Sequence, residues 1–280
     1  MADAQGHSAM ASAGAGTEGE RWAREELALL RSARFAPPAV ARFLVRSQRR
    51  ANVVRADRPA TAARMRAWVA AGALAWMVLA AARVSPFGGR VRAGLGWWAA
   101  TAVMLDWHLG MLESEDGDPR NLGPADALTL LRAWLIPAVA LDGAPVILVL
   151  GGATDLLDGV VARATVPTRA GRDLEGLVDA CFAAAALRGA VRSGQLHPGV
   201  AALELARLGV GFVYGVTVYF AAARRPDPAV LRAARLCTPV RLGGLLAAAT
   251  GRRRTGATTL AAGSLWSIVT VARALLARGQ

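Results

Sequence analysis

Five carboxylates fall within the 25 residues from Asp155 to Asp179 of a largely apolar chain, and four of them, Asp155, Asp158, Glu175 and Asp179, form two pairs at helical spacing. Each is expensive to remove from water, so the set demands cationic partners. Asp155 and Asp158 stand three apart and share one helix face, and Glu175 and Asp179 stand four apart and share another. An antiparallel hairpin turning near residues 165–170 brings the two pairs together. A donor set of oxygens without His or Cys suits Mg²⁺ or Mn²⁺ rather than zinc, and such ions commonly grip substrate phosphates. Phosphoryl chemistry is the first expectation. A single Asp-x-x-Asp pair would read more simply as solvated charge at a helix–loop boundary, so the residues between the pairs decide the matter.

The elements that must position these groups are apolar helices. Hydrophobic residues make up 54% of the chain, charged residues only 19%, and the mean hydropathy is +0.35. That balance points to a membrane rather than to water-facing domains. Residues 67–82 and 93–112 read as two spans. Six more follow at 126–141, 144–164, 171–190, 200–223, 238–250 and 256–277, which gives an all-α, polytopic architecture of eight spans. With the N-terminus inside, Arg163, Arg169, Arg172, Arg224, Arg225, Arg232 and Arg235 lie on the cytoplasmic side, as the positive-inside rule favours. The run from Arg252 to Arg254 falls outside and opposes it.

Formal net charge is +13 and all 33 basic residues are arginine. In so apolar a chain this charge fits anionic membrane lipid, not nucleic acid. Residues 1–20 form a polar, Ala/Gly/Ser-rich tail expected to be disordered. Residues 21–66 form a basic cytoplasmic or interfacial region, read either as helices on the anionic leaflet or as a solvated linker. Asp106 and His108 sit near the cytoplasmic end of the second span, where water or headgroups would satisfy them. Cys181 and Cys237 have no metal-type spacing and imply no disulfide.

From Asp155 the chain reads Asp-Leu-Leu-Asp-Gly-Val-Val-Ala-Arg, then seven residues to Gly171, three to Glu175 and three to Asp179. This resembles the signature of the CDP-alcohol phosphatidyltransferases, D-x-x-D-G-x-x-A-R followed by G-x-x-x-D-x-x-x-D. Upstream, Thr129 and Arg132 resemble the N-x-x-T-x-x-R pattern of that family's first core helix, with Asp126 at the Asn place. The likeness covers about residues 121–277, a six-helix core, and leaves residues 67–112 as two additional transmembrane helices ahead of it. Glu175 replaces the third aspartate of the motif and carries its carboxylate one methylene further.

The resemblance implies that Asp155, Asp158, Glu175 and Asp179 hold two divalent ions, Mg²⁺ or Mn²⁺, against the diphosphate of a CDP-activated lipid. It implies that Asp179 takes the proton of the attacking alcohol as CMP leaves. Gly159 and Ala162 would let the nucleotide pack closely, Arg163 would face the diphosphate, and Gly171, Thr129 and Arg132 complete the substrate-binding set. The acceptor is a small alcohol or a phosphorylated alcohol, for which Arg224, Arg225, Arg232, Arg235 and Arg241 are either binding groups or ordinary positive-inside charge. A homodimer fits the family. Two rivals stand beside this reading: an intramembrane prenyltransferase, whose paired motifs normally lie in well-separated helices, and a non-catalytic membrane scaffold descended from the family.

Overall fold

The computed structural model describes residues 17–114, 117–165, 168–218 and 227–276. The expected tail therefore lies outside the described residues except at its end, as do Arg224 and Arg225. The described chain is all-helical apart from one isolated bridge between Glu113 and Pro119. In order the helices are α1 (Glu18–Ser32), α2 (Pro37–Asp57), α3 (Pro59–Ala81), α4 (Val91–Trp107), α5 (Pro124–Asp142), α6 (Pro145–Ala164), α7 (Arg169–Arg192), α8 (Pro198–Val216), α9 (Pro228–Ala249) and α10 (Arg253–Leu276).

Proline sets many of the starts. Six of these helices, α2, α3, α5, α6, α8 and α9, begin with it, at a place where the missing N–H has no helical partner to lose and φ is already helical. The α9 start moves furthest from the sequence reading, ten residues ahead of the expected 238. Asp227 accepts a hydrogen bond from the Ala229 N–H at 2.8 Å, and Pro228 follows it, so the cap and not the hydropathy fixes the boundary. At the far end of α5, Gly143 turns the chain in the left-handed region at φ 55°.

Helix α5 packs most extensively on α7 and also on α6, while α9 and α10 form a second close pair that α8 joins. Small residues allow the α5–α7 approach: a Cβ on Gly189 would lie 2.1 Å from the Val139 carbonyl oxygen. Helices α3 and α4 form a hairpin beside α5, sealed by Trp76, Phe87 and Trp134, whose ring centroids are 4.9 to 5.4 Å apart. The basic region 21–66 is largely helical. It holds α1, α2 and the start of α3, and Arg55 of α2 donates to both carboxylate oxygens of Asp106 at 3.0 and 2.9 Å. His108 Nδ1 lies 2.7 Å from the Met104 carbonyl oxygen.

Two described helices are long and apolar enough to cross a membrane by length and composition, over Pro124–Leu141 in α5 and Arg253–Leu276 in α10, with a shorter apolar stretch over Pro145–Asp155. Hydropathy passes over α7 because that helix carries Arg169, Glu175, Asp179, Arg188 and Arg192 along its length.

Candidate active site

The four sequence-predicted carboxylates lie on two adjacent helices, Asp155 and Asp158 on α6 and Glu175 and Asp179 on α7. Oxygens of Asp155, Glu175 and Asp179 converge within 4.8 Å of one another. The longer side chain of Glu175 thus reaches the cluster. Asp158 lies deeper, 4% exposed, and accepts from Thr129 Oγ1 at 3.0 Å.

Arg132 ties the two pairs together from α5. Its side chain is 2% exposed; Nη1 donates to Asp155 at 2.9 Å and also contacts Asp179, and Nη2 donates to Asp158 at 2.9 Å. A planar guanidinium suits this task because its fork spans acceptors from two helices at once, which an ammonium does not. Arg132, expected among the substrate-binding residues, is placed among the carboxylates themselves. Among the described residues, these four carboxylates against one guanidinium leave a formal charge of three negative, so the donor set, all hard oxygen, fits divalent cations.

A staple at the helix starts fixes how α5 and α7 face each other. Asp126 accepts from the Gly123 N–H at 2.7 Å and from Thr168 Oγ1 at 2.7 Å, and Thr168 in turn caps α7 by accepting from the Gly171 N–H at 3.0 Å. Gly171 belongs to this staple by necessity: a Cβ there would lie 1.9 Å from Asp126 Oδ1. Gly159, Ala162 and Arg163 lie on α6, their side chains outside those described.

The cluster opens on a cavity of about 410 Å³, with Arg132, Asp155 and Asp179 at one part of its wall and Glu204, Arg207 and Arg241 at another. Glu204, 3% exposed, is the hub of the second group. It accepts from Arg207 Nε at 2.9 Å, from Arg241 Nε at 3.0 Å and from Ser264 Oγ at 2.6 Å. The sequence reading named Arg241 but missed Glu204, Arg207 and Ser264. The available signal was a glutamate within the apolar stretch of α8, the same signal that marked Asp155 to Asp179.

A sequence model of the CDP-alcohol phosphatidyltransferases matches residues 123–277, more than half of the chain and the whole of α5 to α10. This protein belongs to the CDP-alcohol phosphatidyltransferase family. No curated protein and no solved structure matches it. The CDP-alcohol phosphatidyltransferases move substituted phosphate groups from CDP-alcohols in phospholipid synthesis, with divalent metal, and the carboxylates, Arg132 and the cavity all lie on helices within the matched segment. Helices α1 to α4 precede it.

Proposed function

We propose that this protein transfers a phosphatidyl, or phosphoalcohol, group from a CDP-activated lipid such as CDP-diacylglycerol to an alcohol, releasing CMP. The observation that carries this reading is the convergence of Asp155, Glu175 and Asp179, two of which, Asp155 and Asp179, line the cavity, in a chain of this family. Two divalent cations, Mg²⁺ or Mn²⁺, held by these residues with Asp158 beside them, would supply charge neutralisation and Lewis acidity at the diphosphate. Asp179, 40% exposed and facing the cavity, takes the proton of the acceptor hydroxyl. The hydroxyl oxygen bonds to the phosphorus that carries the lipid, and the bond from that phosphorus to CMP breaks with its electron pair leaving on CMP. Arg132 holds Asp155, Asp158 and Asp179 in register, and Thr129 orients Asp158. Gly159, Ala162 and Arg163 are assigned to the nucleotide.

The acceptor end of the cavity favours an anion. Arg207 and Arg241 share one glutamate, so the group keeps a formal excess of one positive charge toward the cavity. A phosphorylated alcohol fits that charge better than a neutral one.

The setting is a multi-pass protein of the cell membrane with the site facing the cytoplasm. Polar groups are inside, with Arg132, Asp158, Glu204 and Ser264 buried, while Val146, Val149, Leu157, Phe212, Val213 and Trp266 are exposed. That inversion suits lipid contact. The domain order assigned is a tail ahead of α1, which starts at Glu18 inside the expected tail of residues 1–20, then basic interfacial helices to residue 66 against anionic lipid, two further spans over 67–112 and the catalytic core over 121–277. A homodimer completes the assignment.

The test is CMP release by the purified full-length protein given CDP-diacylglycerol, Mn²⁺ and a panel of glycerol phosphate, inositol phosphate and serine. Asp179→Asn is expected to abolish release while the protein stays folded. Release of pyrophosphate from a prenyl diphosphate instead would identify the prenyltransferase chemistry. Absence of CMP with every acceptor, unrepaired by Glu175→Asp, would leave the scaffold reading.

A further inference from the structure

Pro137 leaves a gap in the hydrogen-bond ladder of α5. A helical carbonyl bonds to the N–H four residues on, and proline has none, so the Ala133 carbonyl loses its donor. That carbonyl belongs to the residue next to Arg132. Trp97 of α4 fills the gap, its indole N–H donating to the Ala133 oxygen at 2.9 Å, and the Trp76 indole reaches the neighbouring Trp134 oxygen at 3.4 Å. Trp97 also faces α7: with Thr101 and Met104 it lines a small apolar space closed by Leu177, Val178 and Cys181, on either side of Asp179.

A second contact reaches α7 at its start. Glu113 accepts at its backbone oxygen from the Arg169 N–H at 2.9 Å, and its carboxylate accepts from Thr17 Oγ1 at 2.7 Å. Arg169 donates from Nη1 to Thr17 Oγ1 at 2.5 Å and lies 3.5 Å from the Glu113 carboxylate. A cation in the first turn opposes the helix dipole, and the buried Glu113 offsets it. Arg169 precedes Glu175 by six residues, about 9 Å along the helix axis.

We infer that the segment ahead of the family-matched residues is a positioning part of the active site, in which Trp97 sets the turn of α5 that carries Arg132 and Glu113, with Thr17, sets the start of the helix that carries Glu175 and Asp179. Both contacts come from outside residues 123–277 and end on the two helices whose charges must meet. An unpaired carbonyl in apolar surroundings relaxes by local unwinding, which shifts its neighbour Arg132. The proposal rests on the reading of the carboxylates as a cation site, and its test separates the two.

The proline supplies the control. Pro137→Ala returns an N–H to the Ala133 carbonyl, so Trp97→Phe, which removes the indole donor and keeps a ring, is expected to matter with Pro137 present and to matter little without it. In full-length protein in detergent, Trp97→Phe and Glu113→Gln are each expected to raise the Mn²⁺ concentration giving half the maximal thermal stabilisation at least fivefold. In the Pro137→Ala background, Trp97→Phe is expected to shift it less than twofold. Amide hydrogen exchange in EDTA reads the positioning without metal. Trp97→Phe accelerates exchange in α5, Glu113→Gln accelerates it in the first turns of α7, and α9 and α10 keep the parent rates. A half-saturation within twofold of the parent, or equal effects of Trp97→Phe in both backgrounds, overturns the proposal. If the parent shows no Mn²⁺-dependent stabilisation, the cation site falls, and exchange alone decides: unchanged or uniformly accelerated rates overturn the positioning role, and local acceleration that Pro137→Ala suppresses upholds it.

Discussion

Replacing Arg132 by methionine keeps most of the side-chain length and removes the one cation that, among the described residues, pairs with the carboxylates of the site. Asp158 bears the main loss, because both it and Arg132 are almost wholly enclosed, at 4% and 2% exposure. Taking one partner from a buried pair leaves an uncompensated charge and costs about 3–5 kcal/mol. Asp155 and Asp179, at 34% and 40% exposure, add little because water screens them. In EDTA, Arg132→Met is therefore expected to lower stability by about 3–5 kcal/mol, roughly two to three and a half decades in the unfolding constant. Urea unfolding in mild detergent, followed by the fluorescence of the eight tryptophans, measures this. Saturating Mn²⁺ is expected to return more stability to the variant than to the parent, since the carboxylate oxygens released by Arg132 become available to the cation. Arg132→Lys, which keeps the charge but not the fork, is expected to fall between the two. A methionine variant within about 1 kcal/mol of the parent in EDTA, against the 3–5 expected for a broken buried pair, refutes the reasoning. So does equal stabilisation of both proteins by Mn²⁺.

Glu175→Gln preserves shape and removes one charge from the converging oxygens, so the Mn²⁺ concentration for half-maximal CMP release should rise about tenfold, equivalent to ~1.4 kcal/mol. Gly171→Ala puts a methyl where Asp126 Oδ1 already lies, 1.9 Å away, and is expected to destabilise by about 1–3 kcal/mol in chemical denaturation. Asp126→Ala should relieve that clash, so the two losses are less than additive. Glu204→Gln leaves Arg207 and Arg241 without their shared counter-charge; the expected result is a KM for a phosphorylated acceptor changed at least fivefold, with the KM for the CDP-lipid within twofold.

The acidic motif was legible because helical spacing of three and four puts its members on shared faces without help from the rest of the fold. The Glu175 reach was not, since an extra methylene matters only against a given separation of α6 and α7. Arg132 was readable as a helix residue near the site, but its three partners lie 23 to 47 positions away, and no local pattern announces such contacts. Glu204 illustrates the same limit more sharply: its hydroxyl partner Ser264 is 60 positions distant. In the basic region, Arg55 has a partner that its local sequence does not announce: it pairs with Asp106 and binds α2 to the end of α4. Eight spans were read from apolar runs, whereas two described helices are long and apolar enough to cross a membrane; for α7 the reason is that the charges it brings to the site lower its hydropathy.

The partners of Arg132 have a consequence for how the protein is made. All three carboxylates belong to α6 and α7, which leave the ribosome after α5, by 23 to 47 residues. In the bilayer setting proposed above, α5 inserted alone would carry a naked guanidinium near its middle, a penalty of about 2.5–3.5 kcal/mol. Asp155, Asp158 and Asp179 would meet the matching penalty without Arg132. Membrane entry of these three helices is thus most favourable as one packet, released to lipid only after α7 has been synthesised. In that setting, joint entry of α5, α6 and α7 would lift the cost on Arg132 and on its carboxylate partners in one step.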